Sequence, residues 1–418
     1  MIVTKLQITN LRAIKTAEFR FQPGFNLIVG VNGVGKTSVL DALSACLSPV
    51  TKQVNNLSNK AKVFKFEDIR VGAGAITVEC DVRIGEHDFN YLIHKPREIG
   101  VAQDEDADNH REIRLKKTKR SKFMGKAPSP ATGKEPGGRP LAVFFSTSRA
   151  VPTKRTSRDK WVEGGITPAF VDAFASRELR LRESADWMGA QIAQRKERPA
   201  SQQVLDAFED AIKHFLPGYS NLHLGGNDGK QLWIDHGETA IPVRQLSDGE
   251  RGVLALILDL TRRLTQANPD MKDPAAEAEA IVLIDEIDLH LHPKWQRDIV
   301  HNLCAAFPKC QFIATTHSPQ IIGEVEHERI QIISDGQVYL PLYSFGVDSN
   351  RVLEGIMEAD NRTSDVKELL SKISDLIGEE QFDRSRELLL ELVKMLRRDD
   401  DPEVTRLLTL LDFLEGKE

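Results

Sequence analysis

The chain contains 418 residues, of which 28% are charged, and its formal net charge is −6. This length is enough for a large hydrophobic core and more than one lobe, and the acidic balance argues against a protein that coats nucleic acid through overall positive charge. The four cysteines form no C-x-x-C pair, which argues against a zinc ribbon or zinc hook and is typical of buried thiols in a reducing cytoplasm. The N-terminal segment lacks the apolar centre of a signal peptide, and no run of about 18 apolar residues occurs. We therefore expect a soluble, cytoplasmic protein without a membrane partner.

The first 25 residues are expected to form two strands that end in a Pro-Gly turn. The next stretch, Asn26 to Leu47, is organised as a short apolar strand, a Gly-rich turn and a helix with apolar residues at helical spacing. Arg12, before this stretch, is open to two interpretations: a nucleotide contact or a solvated surface residue.

The Gly-rich turn, Gly30-x-x-x-x-Gly35-Lys36-Thr37, has the pattern of a phosphate-binding loop. Its glycines allow the backbone N–H groups to point at phosphate oxygens, and the helix that begins at Lys36 adds its positive end. In such a loop Lys36 contacts the β- and γ-phosphates, and Thr37 offers its hydroxyl group to Mg²⁺. The alternative is a chance Gly-rich turn, which the preceding strand and the following helix disfavour.

The region after the helix changes character twice. Residues 48–61 are polar and are expected to form loops, whereas residues 64–93 alternate in the manner of strands. Residues 101–140 combine an acidic run with a basic run that ends in a Pro- and Gly-rich stretch, which predicts a flexible insertion. Two interpretations of this insertion stay open: a basic loop that contacts nucleic acid, or a solvated surface segment.

The middle of the chain is predicted to be mainly helical. Residues 141–146 (LAVFFS) form a candidate buried strand, residues 151–217 have helical patterns, and residues 232–243 are typical of a hairpin. The run Leu246-Ser247-Asp248-Gly249-Glu250 then opens another helix with an apolar stripe. Ser and Gly at a helix N-terminus can bind an anion, although Ser-Asp-Gly is also a common helix-start turn.

Two further apolar strands end in polar residues that can carry out chemistry. Residues 281–284 are followed by Asp285 and Glu286. A carboxylate at the end of a buried strand can hold Mg²⁺, and its neighbour can orient and deprotonate a water molecule. The strand at residues 312–315 is followed by His317, and a neutral histidine there can hydrogen-bond a γ-phosphate or the attacking water. Each feature alone is usually structural; their order after a phosphate loop indicates a nucleotide-hydrolysing site.

Taken together, these segments resemble the ATPase heads of the ABC, SMC and RecF class. GVNGVGKT matches the Walker A motif, LSDGE the ABC signature with Asp248 in place of the usual Gly, IVLIDEID the Walker B motif, and TTHS the switch-histidine segment. The resemblance implies an α/β fold: an ABC-type P-loop ATPase head with a mixed β-sheet, a helical arm and a C-terminal helical segment. No Q-loop glutamine is evident, which leaves the residue that couples the two lobes unassigned.

The resemblance also implies ATP and Mg²⁺ as cofactors and self-association as a head-to-tail dimer, or a higher oligomer, with ATP between Lys36 of one chain and Ser247 of the other. Thr37 and Asp285 would hold Mg²⁺. Glu286 would position the attacking water and His317 would contact the γ-phosphate as the two catalytic residues. The other nucleotide-binding residues that it implies are Asn32, Gly33, Gly35, Ser38 and Gly249.

Segment lengths narrow the class. The stretch between the Walker A and signature motifs is far shorter than the coiled-coil insertions of SMC proteins, and the tail is too short for the Toprim nuclease domain of OLD nucleases. The run LYSFGVDSNRVLEGIMEADNR joined to a helical tail is similar to PtuA-type ATPases of Septu and retron-linked antiphage systems. This resemblance implies a regulatory ATPase that controls a separate HNH-type nuclease. The alternative is a RecF-like DNA-repair ATPase that binds DNA directly.

We expect four segments along the chain. They are an ATPase N-lobe with Walker A (1–150), a helical arm (151–220), an ATPase C-lobe with the signature, Walker B and switch histidine (221–340), and a C-terminal interaction segment (341–418). The last segment contains three amphipathic patterns, whose apolar stripes must be buried. Two interpretations stay open: the stripes pack on the ATPase head of the same chain, or they form a surface for a partner.

Overall fold

A computed structural model describes residues 1–57, 62–97, 120–124, 127–129, 138–150, 166–175, 181–196, 199–226, 229–334, 336–357, 362–396 and 401–415. The chain forms two compact units, Met1–Val352 and Leu353–Glu418. The strands are β1 (Ile2–Leu11), β2 (Ile14–Arg20), β3 (Phe25–Val29), β4 (Ala75–Ile84), β5 (His87–Pro96), β6 (Arg120–Phe123), β7 (Leu141–Phe145), β8 (Tyr219–Gly225), β9 (Gln231–His236), β10 (Thr239–Pro242), β11 (Ala280–Ile284), β12 (Cys310–Thr316), β13 (Ile330–Ser334) and β14 (Gln337–Tyr339). The helices are α1 (Lys36–Val54), α2 (Thr167–Phe170), α3 (Leu181–Gln194), α4 (Pro199–Phe215), α5 (Asp248–Ala267), α6 (Pro274–Glu277), α7 (Pro293–Ala306), α8 (Pro319–Ile322), α9 (Ser349–Gly355), α10 (Ser364–Gly378), α11 (Phe382–Leu396) and α12 (Pro402–Leu414).

A six-stranded sheet forms the centre of the first unit, in the order β14-β13-β3-β12-β11-β7. Strands β13, β3, β12, β11 and β7 are parallel, whereas β14 pairs antiparallel with β13 at the edge. Strands β3, β7, β11 and β12 bury every residue, as parallel strands covered on both faces do. The mixed sheet of an α/β fold is therefore confirmed. Because the parallel strands end at the same edge, the segments that follow β3, β7, β11 and β12 lie close together.

A second, antiparallel sheet has the order β2-β1-β4-β5-β6. Strand β1 lies between β2 and β4, so that Leu6 is opposite Phe19 on one side and Cys80 on the other. Alternate residues of β4 are buried, which matches the alternation in its sequence. The strands predicted in residues 2–25 are thus present. Those predicted in residues 64–93 begin only at Ala75, because residues 64–74 form turns and loop.

Helix α1 packs between the two sheets. Its apolar residues share one core with Leu6 of β1 and with Ile28, Leu283 and Ile313 of the six-stranded sheet. The helix begins at Lys36 as predicted, but it continues to Val54, so the prediction of loops was wrong for residues 48–54. The polar residues there are accommodated inside the helix, since the Thr51 hydroxyl group donates to the Leu47 carbonyl at 2.7 Å.

Part of the predicted basic insertion is ordered as a strand. Residues 120–123 form β6, which pairs antiparallel with β5, and the rings of Tyr91 and Phe123 meet edge to face with centroids 5.0 Å apart. The prediction of a flexible segment was therefore wrong for these four residues. Residues 98–119, 125–126 and 130–137 of the same region lie outside the described residues.

A second core joins the central helices to a three-stranded sheet. The sheet has the order β10-β9-β8 and contains the predicted hairpin around Gly237. Helices α3 and α4 pack on this sheet and on α5, through Met188, Phe208, Ile234 and Leu254 among others. This core therefore fixes the beginning of α5, which carries the LSDGE sequence.

The second unit has its own hydrophobic core, made by α10, α11 and α12. The buried side chains of this core all belong to the tail: Val366, Ile373, Ile377, Leu389, Leu392, Val404, Leu407 and Leu411. The three stripes therefore pack on one another, and the role of the C-terminal segment as an interaction surface stays a prediction. Among the described residues, the structure contains no helix that is both long enough and apolar enough to cross a membrane.

Candidate functional site

The phosphate loop connects β3 to α1. Gly35 caps the helix with φ of 108°, a left-handed conformation that glycine adopts without the steric cost of a side chain. Val31, Asn32 and Gly33 are exposed at the tip of the loop, and a Cβ built on Gly33 would meet no atom within 4 Å. The loop therefore borders open space beside a helix N-terminus, which is the geometry that a phosphate group requires.

Lys36 folds back over the loop. Its side chain is 7% exposed, and its ammonium group donates to the carbonyl oxygens of Gly30 at 2.8 Å and Val31 at 3.1 Å. Burial lowers the pKa of Lys36, and the carboxylates of Glu286 and Asp285 oppose this effect. The loop carbonyls thus bind the cation, and the carboxylates that follow β11 are close enough to stabilise its charge.

Thr37 and Asp285 meet at the carboxyl edge of the sheet. The Thr37 hydroxyl group donates to the Asp285 carboxylate, with Oγ1 to Oδ2 at 2.9 Å. Thr315, at the end of β12, donates its hydroxyl group to the other carboxylate oxygen at 2.7 Å. Asp285 is 3% exposed, so these hydroxyl groups replace the water that would solvate it.

Glu286 adopts an unusual backbone conformation, with φ of 47°. Its N–H donates to Thr315 Oγ1 at 2.7 Å, and its carbonyl oxygen accepts from Arg149 Nη2 at 2.6 Å and from the N–H of Leu289 at 2.9 Å. Within the described part of the chain, no hydrogen bond reaches its carboxylate. Hydrogen bonds therefore fix the backbone of Glu286, whereas its carboxylate can still bind a water molecule.

His317 follows β12, and Asp288 accepts from its backbone N–H at 3.4 Å and from the Thr316 hydroxyl group at 2.6 Å. Burial lowers the pKa of His317, and the nearby charge of Lys36 lowers it further. Both effects favour the neutral imidazole, the form that can accept or share a hydrogen bond at neutral pH.

Gln296 of α7 joins two loops of the site. Its amide Nε2 donates to the carbonyl oxygen of Leu291 at 2.9 Å, and its Oε1 accepts from the Ser318 hydroxyl group at 2.7 Å. The segment after β11 is therefore tied to the segment that carries His317.

The LSDGE sequence forms a capping box. Ser247 Oγ accepts from the N–H of Glu250 at 3.3 Å, and the Glu250 carboxylate accepts from the N–H of Ser247 at 2.7 Å. Asp248, which replaces the usual Gly, forms an ion pair with Arg251. Across the described residues, no hydrogen bond joins Ser247 or Gly249 to the phosphate loop of the same chain. The structure thus brings together the Walker A, Walker B and switch-histidine residues, whereas the signature packs against the loop after Walker B without a hydrogen bond to the phosphate loop among the described residues.

Arg12 is engaged by carboxylates. Its guanidinium group pairs with Asp41 and Asp68, each at 2.8 Å, and lies 3.3 Å from Ser38 Oγ. Its side chain is 40% exposed. The residue is therefore an ion-pair bridge from the turn after β1 to the phosphate-loop helix, with Ser38 at its inner end.

The donor set at this edge is suitable for Mg²⁺ and a nucleotide. Thr37 and Asp285 contribute only oxygen atoms, which are the ligands that Mg²⁺ prefers. The buried ammonium group of Lys36 and the start of α1 offer positive potential to phosphate oxygens, which can approach from the open side of the loop.

Several residues of the site were not identified from the sequence. Arg149 follows β7 in a short 3₁₀ turn and reaches residues that lie far along the chain. Gln296 and Asp288 contribute by hydrogen bonds to the segment that carries His317. The two threonines at the end of a strand, directly before His317, could have indicated that Thr315 belongs to the site. A single Arg shortly after LAVFFS has no distinctive pattern that could have indicated Arg149.

Comparisons with known proteins identify the family of the chain. A family model described as an AAA domain matches residues 5–215, and a second AAA-domain model, of the AbiEii toxin and Type IV toxin–antitoxin kind, matches residues 146–323. The chain is 39% identical over 204 residues to the Retron Ec83 probable ATPase of Escherichia coli, a match that covers 48% of this chain and 37% of that protein. It is 22% identical to the Septu protein PtuA of Bacillus thuringiensis, over 95% of this chain and 94% of that one.

The chain spans little more than a third of the length of the retron relative, whereas it spans nearly all of the Septu relative. Among solved structures, an SMC head bound to the C-terminal winged-helix domain of ScpA is similar with a TM-score of 0.48 and 17% identity, over 81% of this chain and 97% of that one. Because the AAA-domain model at residues 5–215 covers half of the sequence, the chain belongs to the AAA-domain ATPases.

Proposed function

We propose that this protein is a regulatory ATPase of an antiphage defence complex. The observation that carries the proposal is the contact between Thr37 and Asp285, which joins the phosphate loop to the Walker B strand across the six-stranded sheet. The similarity to Septu and retron ATPases supports the defence role. The partner that we propose is an HNH-type nuclease, as in the PtuA-type systems that the sequence resembles.

The proposed site binds ATP through Lys36 and the loop amides from Asn32 to Ser38. Thr37 and Asp285 would hold Mg²⁺, which would neutralise phosphate charge. Glu286 accepts a proton from the attacking water, and its available carboxylate is suited to that role. His317, kept neutral by burial, contacts the γ-phosphate. The chain's own residues thus supply positioning and charge stabilisation.

The proposed catalytic unit is a head-to-tail dimer, in which a second copy supplies Ser247 and Gly249. Ser247 and Asp248 are exposed at the start of a 20-residue helix, where N–H groups and the helix dipole can receive phosphate oxygens. Since the signature makes no hydrogen bond with the phosphate loop within the described chain, a second chain is the natural source of the missing donors.

Co-expression with the adjacent genes tests this function. We expect an HNH-type nuclease to co-purify with the wild-type protein and the pair to restrict phage growth. Lys36→Ala should weaken ATP binding about thirtyfold or more, because loss of a charged contact costs about 2–5 kcal/mol, and should abolish protection. Lys15→Ala, at an exposed position of β2, is the matched control.

The same preparation distinguishes the alternative function. A RecF-like repair ATPase would bind duplex DNA without a partner, and DNA would strongly stimulate its ATP hydrolysis. DNA-stimulated hydrolysis by the isolated protein, together with no co-purifying nuclease, would favour that function over the defence complex.

A further inference from the structure

Arg149 is a buried cation that binds backbone rather than carboxylates. Its side chain is 7% exposed, and its guanidinium group donates to three carbonyl oxygens: Ser146 at 3.1 Å, Asp285 at 2.5 Å and Glu286 at 2.6 Å. The carboxylates of Asp285 and Glu286 act on it only at longer range. A buried guanidinium group is expensive to desolvate, so its use on backbone carbonyls calls for an explanation.

The conformation of Glu286 provides that explanation. Its φ of 47° is in the left-handed region, which a residue with a side chain leaves unless its surroundings hold it there. Thr315 holds the N–H side of this residue, and Arg149 holds the carbonyl side together with the preceding carbonyl of Asp285. One planar group therefore spans two consecutive carbonyls, which a lysine ammonium group cannot do with the same geometry.

We propose that Arg149 is a positioning residue for Glu286. By holding the left-handed backbone, it directs the free carboxylate toward the place where the attacking water lies, and it does so without contacting the nucleotide. This inference rests on the proposed role of Glu286 in hydrolysis.

Steady-state kinetics test the positioning role. For Arg149→Lys and Arg149→Ala we expect kcat for ATP hydrolysis to fall by about 10–100-fold, with KM and nucleotide affinity within about threefold of wild type. Methylguanidinium added to Arg149→Ala should restore part of kcat, and the wild type with the same additive is the control. Undiminished kcat in both variants would overturn the proposal, as would a loss of nucleotide affinity in step with kcat and no rescue.

A second measurement does not depend on hydrolysis, so it separates this proposal from the proposed function. Glycine adopts a left-handed φ more readily than alanine, so Glu286→Gly should melt about 1–3 °C above Glu286→Ala in the wild-type background. In the Arg149→Ala background this difference should shrink markedly, because the guanidinium group no longer holds the carbonyl side of residue 286 and only the contacts of Thr315 and Leu289 remain. An unchanged difference would show that Arg149 does not control the backbone of Glu286, whether or not the protein hydrolyses ATP.

Discussion

Gly249 lies directly against the carbonyl oxygen of His290: a Cβ built on Gly249 would overlap that oxygen. The beginning of α5 is thereby packed against the loop that follows Asp285 and Glu286. Gly249→Ala should lower the free energy of unfolding by about 1–3 kcal/mol, since the clash is with backbone that must shift. Gly252→Ala is a matched control on the same helix, because its Cβ would meet nothing within 4 Å and alanine favours the helix by about 1 kcal/mol. The prediction would be contradicted if chemical denaturation showed that both substitutions change the free energy of unfolding in the same direction.

Ser247 offers a test of the dimer. Ser247→Arg should leave nucleotide binding by the monomer nearly unchanged and prevent ATP-dependent pairing, because a long cation would fill the space in which the opposite γ-phosphate docks. Light scattering with and without ATP measures the pairing. Ser247→Ala, which loses the cap and about 1 kcal/mol of stability, serves as the control for helix damage. Normal pairing by the arginine variant would mean that LSDGE is only a helix cap.

Glu286→Gln should bind ATP about as tightly as wild type and hydrolyse it about 100–10,000-fold more slowly, because an amide cannot accept the proton of the attacking water. The variant should also accumulate in the ATP-bound, paired form. Nucleotide binding and single-turnover hydrolysis are measured on the same preparation. Glu328→Gln, at an exposed position outside the motifs, is the control. Hydrolysis at the wild-type rate would place the general base elsewhere.

His317 predicts a pH dependence of stability. Its pKa is lowered in the folded state, so as the pH falls below the ordinary value of about 6.5 the unfolded chain binds this proton first. The free energy of unfolding should therefore decrease as the pH falls from 7.5 through 6.5 toward 5, and it should be fully retained above that window. His317→Gln should show a weaker decrease. Urea titrations of both proteins at several pH values check this, and identical pH profiles would exclude the contribution.

Leu392 and Leu390 on α11 differ in environment. Leu392 is 0% exposed within the core of the second unit, whereas Leu390 is 61% exposed. Leu392→Ala should destabilise this unit by about 2–5 kcal/mol through the lost burial and the cavity, and Leu390→Ala should have little effect. Hydrogen exchange across α10, α11 and α12 reports the unit separately from the rest of the chain. Equal protection of the backbone amides from hydrogen exchange in the two variants would contradict the assignment of Leu392 to this core.

The parts of the site that were predictable from sequence are those encoded by short local patterns. The consecutive residues from Gly30 to Thr37 specify a loop followed by the start of a helix. A wholly apolar strand followed by Asp285 specifies a carboxylate at the end of a buried strand. Arg149 is different, because two of its three partners are backbone carbonyls more than 130 residues away, and any residue type presents a carbonyl. No pattern in the sequence marks such a contact.

The helix boundary at Val54 was missed for a related reason. Ser48 and Thr51 are polar and Pro49 disfavours a helix interior, so local propensity indicates a loop. Tertiary packing overrides that preference, because Val50 and Val54 are buried between the two sheets and Thr51 bonds within the helix. Tertiary packing was also not predictable for the C-terminal segment. Its three apolar stripes are evident in the sequence, but the sequence does not show that they pack on one another.

The placement of β3 has a consequence for how the chain is made. Its neighbours in the sheet are β12 and β13, and roughly 280 residues are translated between the end of β3 at Val29 and the start of β12 at Cys310. At about 5–20 residues per second, this apolar strand waits on the order of 15–60 s for its partners. The nascent chain must therefore emerge from the ribosome with the phosphate loop attached to an unpaired apolar strand, which can aggregate until β12 and β13 have been synthesised.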